Sequence, residues 1–264
     1  MPQDHPTETR PDASSELFQH YARHYANTGA ERRQRPGATV RALHLDRLPR
    51  WIARVPHDAR ILDAGCANGY LLGLLHESGY TQLSGVELSE QLAASARAAL
   101  PEDVSIHVAD VAQFLATQAD ASFDVILFHH VLEHVPRDQT LDLLRAFRRC
   151  LAPGGLLDVR VPNAAFLLPG IHLHGDFTHV VHFNERSLWQ VLERAGFDPA
   201  GIELVLHPPQ LFFSLSQPMR MVLRLLNRLR WHLHRLVHRL LCMLVDQLPA
   251  PRAFEFELEM LARA

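Results

Sequence analysis

The sequence predicts an α/β protein, a mostly parallel sheet covered by helices on both faces. Three observations carry this. Short apolar and β-branched runs alternate with amphipathic stretches between residues 56 and 206, and such alternation packs as a parallel sheet. The run Arg60–Ala64 turns through Gly65 and Gly69 into a helical pattern beginning near Tyr70, the strand, turn and helix of a nucleotide-binding unit. The next two runs close on acidic residues, Glu87 and Asp110, at the edge where such sheets bind ligands.

Taken in order, Met1 to Ala13 is polar and has little to bury, so it is expected to be disordered. Residues 14–55 are expected to form a helical cap, with one helix opening at Ser14 and another over 39–54. Strands are predicted at 60–64, 82–87, 105–109, 123–128, 156–161, 202–206 and 254–261. Helices are predicted at 70–78, 91–99, 111–118, 137–150 and 184–195, with Pro153-Gly154-Gly155 as the turn that ends the long one. The domain plan is then 1–13, 14–55, a core over 56–206, an insertion over 207–253 and a last strand over 254–264.

At 264 residues the chain can bury a sizeable core, and 47% apolar with 21% charged residues is ordinary for a globular protein. The net charge of −3 gives no global basic field for nucleic acid. All 26 basic residues apart from histidine are arginine, a composition that codon bias explains. Cys66, Cys150 and Cys242 are widely spaced, which argues against a disulfide framework or a structural zinc site. With no signal-like leader and no long apolar run, the sequence is read as cytoplasmic.

Asp63-x-Gly65-x-x-x-Gly69 has Ala67 where a dinucleotide fingerprint has its middle glycine. It resembles motif I of the class I S-adenosylmethionine-dependent methyltransferases. Glu87, Val108-Ala-Asp110, Phe123 to Val135 and Leu144 to Asn163 follow in that family's order. The resemblance implies a Rossmann-like seven-stranded sheet, order 3-2-1-4-5-7-6, with S-adenosyl-L-methionine as cofactor. It places Asp63 and Gly65 by the methionyl part, Glu87 on the ribose diol and Asp110 with Val111 at the adenine, with Cys66, Gly69 and Leu88 also in the cofactor set. His129, ending strand four, joins that cofactor set. Tyr25, or Tyr21, is expected to reach the cofactor's carboxylate, with packing between helix and sheet an equal alternative. Gly69 is read as letting backbone approach the ligand where a Cβ would clash.

The chain holds 18 histidines. His129, His130, Glu133 and His134 cluster at the end of strand four; His172, His174, Asp176, His179 and His182 form a second group. The run Asp176-Phe-Thr-His179, then Phe183, Ser187-Leu188 and Gly196-Phe197, resembles bacterial methyltransferases acting on cell-surface glycans and their precursors. That implies a glycan or lipid-linked acceptor, with His179 as general base and His134 second, since imidazole titrates near neutrality. Scaffolding roles for both stand beside this. Val131-Leu-Glu-His-Val135 also occurs in quinone O-methyltransferases. His130-x-x-Glu133-His134 with His179 or His182 partly resembles the divalent-ion site of small-RNA 3′-terminal methyltransferases, but His130 stands where glutamate is expected, so the leading reading has no metal. A non-catalytic protein keeping the fold is the alternative of another class.

Within the insertion, Val222, Leu226, Leu229, Leu233, Leu236, Leu240 and Leu244 recur in steps of four and three, one stripe on a long helix. Arginines and histidines fill much of the remainder, and no acid intervenes before Asp246. Three readings stand: a stripe packed on the protein's own sheet or on a second copy, with a solvated arginine face; a basic amphipathic helix over 219–245 on the inner membrane surface; or polyanion binding.

Overall fold

In the computed structural model the described residues are 48–166, 170, 173–207, 218–245 and 250–264; side chains 50, 218–221 and 224 are not described. The expected N-terminal disorder and the cap up to residue 47, with Tyr21 and Tyr25, lie outside them, as does His172, while the end of the expected second helix is a 3-10 helix, Arg50–Arg54.

Seven strands form one sheet in the order β3-β2-β1-β4-β5-β7-β6. They are β1 Arg60–Ala64, β2 Gln82–Glu87, β3 Ser105–Val108, β4 Phe123–His129, β5 Leu151–Pro162, β6 Ile202–Val205 and β7 Glu257–Arg263. The helices are α1 Tyr70–Glu77, α2 Glu90–Ala99, α3 Val111–Thr117, α4 Arg137–Cys150, α5 Glu185–Arg194 and α6 Pro218–Val245. This is the expected Rossmann-like architecture. The chain divides into two compact units, Met1–Leu127 and Phe128–Ala264, described in turn.

In the first unit β1 pairs parallel with β2 and β4, and β2 with β3. Ile61, Leu62 and Ala64 are fully buried, as are Leu72 and Leu75 of α1, so strand and helix seal one core layer. Ser89 caps α2 by accepting the Leu92 N–H. Gly85 sits in β2 because a Cβ there would meet Cys66 Sγ at 2.7 Å and Leu72 at 2.8 Å.

In the second unit β7 runs antiparallel to both β5 and β6. Two expectations are corrected. Pro153-Gly154-Gly155 lies inside β5 rather than in a turn, because Gly154 N–H donates to the Ala264 carbonyl and Ala264 N–H returns to Gly155. The last strand begins at Glu257, not Phe254, because Phe254 is buried against Trp231 and His234 of α6 instead. Asn163 fastens this region: its amide donates to the Ala253 and Glu255 carbonyls at 3.1 and 2.9 Å.

Candidate active site

The glycine turn of the first unit is built by backbone. Gly65 and Cys66 N–H both donate to the Val86 carbonyl, at 2.8 and 3.0 Å, locking the turn to the end of β2. Three residues are left-handed, Gly65 at φ 86°, Ala67 at 47° and Gly69 at 75°. Gly69 needs that conformation, and its Cβ would meet Leu100 at 2.6 Å and Ala96 at 3.1 Å. Packing against Ala96 and Leu100 is thus one reason for a glycine at this position. Asn68, which the sequence reading passed over, accepts the Tyr70 N–H at 3.2 Å and starts α1.

Glu87 is the hinge of the cradle. Its two carboxylate oxygens accept the Ala67 and Ser89 N–H groups, both at 2.9 Å. The side chain is 8% exposed, and burial raises its pKa against those hydrogen bonds. Each carboxylate oxygen carries two acceptor sites, so both retain capacity for a ribose hydroxyl. Asp63 is buried at the end of β1. Burial, then the charges of Asp63 and Glu87, push the Cys66 thiol far up, so it stays protonated. Asp110 spends one oxygen capping α3 through the Gln113 N–H at 3.1 Å; Val111 follows as the first helical residue and Leu88 is exposed. A buried acid accepting two loop amides beside a left-handed glycine turn fits a nucleoside with a vicinal diol.

In the second unit His129 turns to Asp158, with Nε2 2.8 Å from Oδ2. Asp158 is fully buried and its pKa rises to about 7, while burial lowers His129 well below the ordinary range. Arg160 pairs with Glu259 at 2.7 Å directly across the β5–β7 ladder, and His207 meets the same carboxylate at 2.5 Å. The His129 ring therefore belongs to a buried network. His130 is left-handed at φ 55°, held by its N–H to the Arg160 carbonyl, and its ring reaches Glu257 at 3.2 Å and Glu133 at 3.6 Å. Burial depresses it, but these carboxylates outweigh burial and hold its pKa up to about 10; the ring is 45% exposed, so solvent weakens that pull.

The loop carrying His179 folds onto a 3-10 turn, Leu132–His134, because Val180 and Val181 N–H both donate to the Glu133 carbonyl, at 2.9 and 3.1 Å. Thr178 then decides a tautomer. Its N–H and hydroxyl both donate to Asp176 Oδ1, at 2.9 and 2.6 Å. With its one proton spent on a carboxylate, Oγ1 accepts from His134 Nδ1 at 2.8 Å, and the Thr178 carbonyl stands 3.2 Å from the same nitrogen. His134 therefore carries its proton on Nδ1 and its lone pair on Nε2. His179 Nδ1 faces the Leu173 carbonyl at 3.2 Å, which assigns the same tautomer. Glu133 is 2% exposed, and neither carboxylate oxygen has a hydrogen-bond partner among the described residues. One ligand atom each from Glu133, His134 and His179 lie within 4.8 Å of one another. Such a trio can receive a hydroxyl proton or hold a divalent cation. Phe177, 87% exposed, stands beside it.

The sequence reading named both histidines, and Glu133 only as part of the metal reading with His130; the structure sets Glu133 with His134 and His179. Thr178 and Phe177 were missed, although Asp176-x-Thr178 is the signature of a side-chain turn.

A glycine-turn cradle on a sheet of this order is the Rossmann-like arrangement of nucleotide-binding α/β proteins. The family described as Methyltransferase domain matches residues 31–200, and the chain belongs to it, with S-adenosylmethionine as cofactor. A probable S-adenosylmethionine-dependent methyltransferase of Mycolicibacterium smegmatis is 33% identical over 52% of this chain and 51% of its own length. A ubiquinone biosynthesis O-methyltransferase of Idiomarina loihiensis is 39% identical over 60% of this chain and 69% of its own. The chain thus spans about half the length of the first of these relatives. A crystal structure of an S-adenosylmethionine-dependent methyltransferase from Archaeoglobus fulgidus aligns over 96% of this chain and 100% of its own, with 20% identity and a TM-score of 0.62, a likeness of fold.

Proposed function

We propose that the chain O-methylates a hydroxyl of a saccharide or lipid-linked glycan acceptor, at the cytoplasmic face of the membrane. The observation that carries this is the clustering of His134 and His179 with a buried glutamate, a ligand atom of each lying within 4.8 Å of the others. The cofactor supplies an electrophilic methyl on a sulfonium. Asp63, Gly65, Cys66 and Gly69 line its methionyl part, Glu87 and Leu88 take the ribose, and Asp110 with Val111 takes the adenine.

A neutral hydroxyl is a poor nucleophile and must lose its proton as the oxygen–methyl bond forms. His179 Nε2 takes that proton, with His134 as its neighbour and Glu133 stabilising the imidazolium. Burial lowers the His134 pKa, so it stays neutral and can accept a proton at neutral pH. Phe177 offers a flat apolar face to a ring-shaped acceptor. The saccharide class is supported by the run from Asp176 to Phe197; a homodimer is compatible with it.

Two further readings have specific support. A quinone-type ring is favoured by the relative named for ubiquinone biosynthesis. A divalent cation held by Glu133, His134 and His179 is favoured by their spacing, and would acidify the hydroxyl in place of an imidazole. Purified protein with labelled cofactor and fractionated cell-envelope glycan precursors tests the class. Label in a lipid-linked saccharide supports it; label only in a quinol or in RNA rejects it. Activity surviving a chelator excludes the cation. Calorimetric failure to bind the cofactor at millimolar concentration would mark a non-catalytic interaction protein.

A further inference from the structure

The long helix α6 packs with its polar face inward. Trp231 donates to Glu255 at 2.7 Å and stacks on Phe254, centroids 4.9 Å apart. His234 meets Phe166 and Phe254 at 5.5 and 5.7 Å, and His238 is 7% exposed. These residues lie at i, i+3 and i+7, one face of the helix.

The stripe read from the sequence is on the other face. Leu226, Leu229, Leu233, Leu236 and Leu240 are 54, 57, 61, 54 and 44% exposed. Packing against the protein's own sheet is therefore corrected for these residues. A continuous apolar surface of this kind marks an interaction site.

Charge selects the occupant. At 100° per residue, Arg228, His232 and Arg239 flank the stripe on one side and Arg230 on the other, and no acid occurs from Pro218 to Val245. A second copy of the helix set stripe to stripe would bring arginine rows together with no carboxylate on either helix to answer them. An anionic bilayer answers both features, taking leucines among its acyl chains and arginines among its phosphates. Among the described residues no helix is long and apolar enough to cross a membrane, so the helix lies flat along about 42 Å.

We infer that α6 docks the protein on an anionic lipid surface, leucine stripe down and arginines at the phosphate layer. This rests on α6 alone and not on the methylation reading. The test is co-sedimentation of the full chain with vesicles of phosphatidylcholine, with and without about one-third phosphatidylglycerol. The protein is expected to sediment with the anionic vesicles at low salt and to be released as salt rises. Leu229→Gln/Leu233→Gln/Leu236→Gln should weaken partitioning by about tenfold or more. Arg228→Gln/Arg230→Gln/Arg239→Gln should abolish the preference for phosphatidylglycerol. All six side chains are exposed, and cofactor affinity by calorimetry should be unchanged, which separates docking from loss of fold. No sedimentation would overturn the inference. So would a concentration-dependent dimer that the leucine variant dissolves, or equal binding to neutral vesicles. Preference for RNA over vesicles would overturn it as well.

Discussion

The rings of His134 and His179 meet edge to face with centroids 4.8 Å apart, although they come from different segments. Each is held through Nδ1 by an acceptor, and His179 Nε2 lies 4.0 Å from Glu133 Oε1. The pair sets the first prediction. His179→Gln should lower kcat by about 10²–10⁴-fold while leaving cofactor affinity unchanged. His134→Gln should cost less. Single-turnover rates with a labelled acceptor measure both; an unchanged rate in His179→Gln would remove it as base.

The tautomer chain through Thr178 gives a second. Thr178→Val removes the hydroxyl that accepts from His134 Nδ1 and donates to Asp176, leaving only the longer contacts of the Thr178 backbone. kcat should fall while the acceptor KM holds, and Thr178→Ser should restore it. His134 itself should become protonated only below the ordinary histidine range, because burial lowers its pKa, and NMR titration of its ring checks this.

Glu87 ties the glycine loop to the end of β2. Glu87→Ala orphans the Ala67 and Ser89 N–H groups, so stability should drop by about 1–3 kcal/mol and cofactor affinity by at least about tenfold. Denaturant midpoints and calorimetry report the two losses separately. Gly69→Ala should cost about 1–3 kcal/mol through its left-handed backbone, plus the Leu100 contact. A change in melting temperature under one degree would contradict that.

The His130–Glu257 pair gives a pH signature. His130 titrates above its ordinary 6.5, so its contribution is complete below about pH 6.5 and disappears as pH rises through about 10. Glu257 titrates below its ordinary 4.5, so its contribution is complete above that and disappears as pH falls through about 2. His130→Asn, which tolerates the left-handed backbone, should lose most stability between about pH 4.5 and 6.5. Given the exposure of the ring, about 1 kcal/mol is expected there. Chemical denaturation across pH checks it, and a pH-independent difference would assign the loss to packing.

Much of this was legible in the sequence where the signals are local. Arg60–Ala64, Gln82–Glu87 and Arg137–Cys150 fold as read, because apolar period, glycine turn and cap each act within a few residues. The β5 and β7 boundaries were not, since pairing of Gly154 and Gly155 with Ala264 crosses most of a unit.

The order of the sheet came from the family resemblance; by itself the sequence determined the alternation of strands and helices and the glycine turn with Glu87. Those rest on consecutive residues whose backbone freedom and polarity admit one local arrangement. Tertiary structure alone decided that Glu133 stands between two histidines, because two backbone hydrogen bonds from Val180 and Val181 bring that loop there. It also decided which way α6 faces. Periodicity places leucines on one side of a helix but cannot say which side meets the protein, and here Trp231 and His234 took the inner face through Phe254.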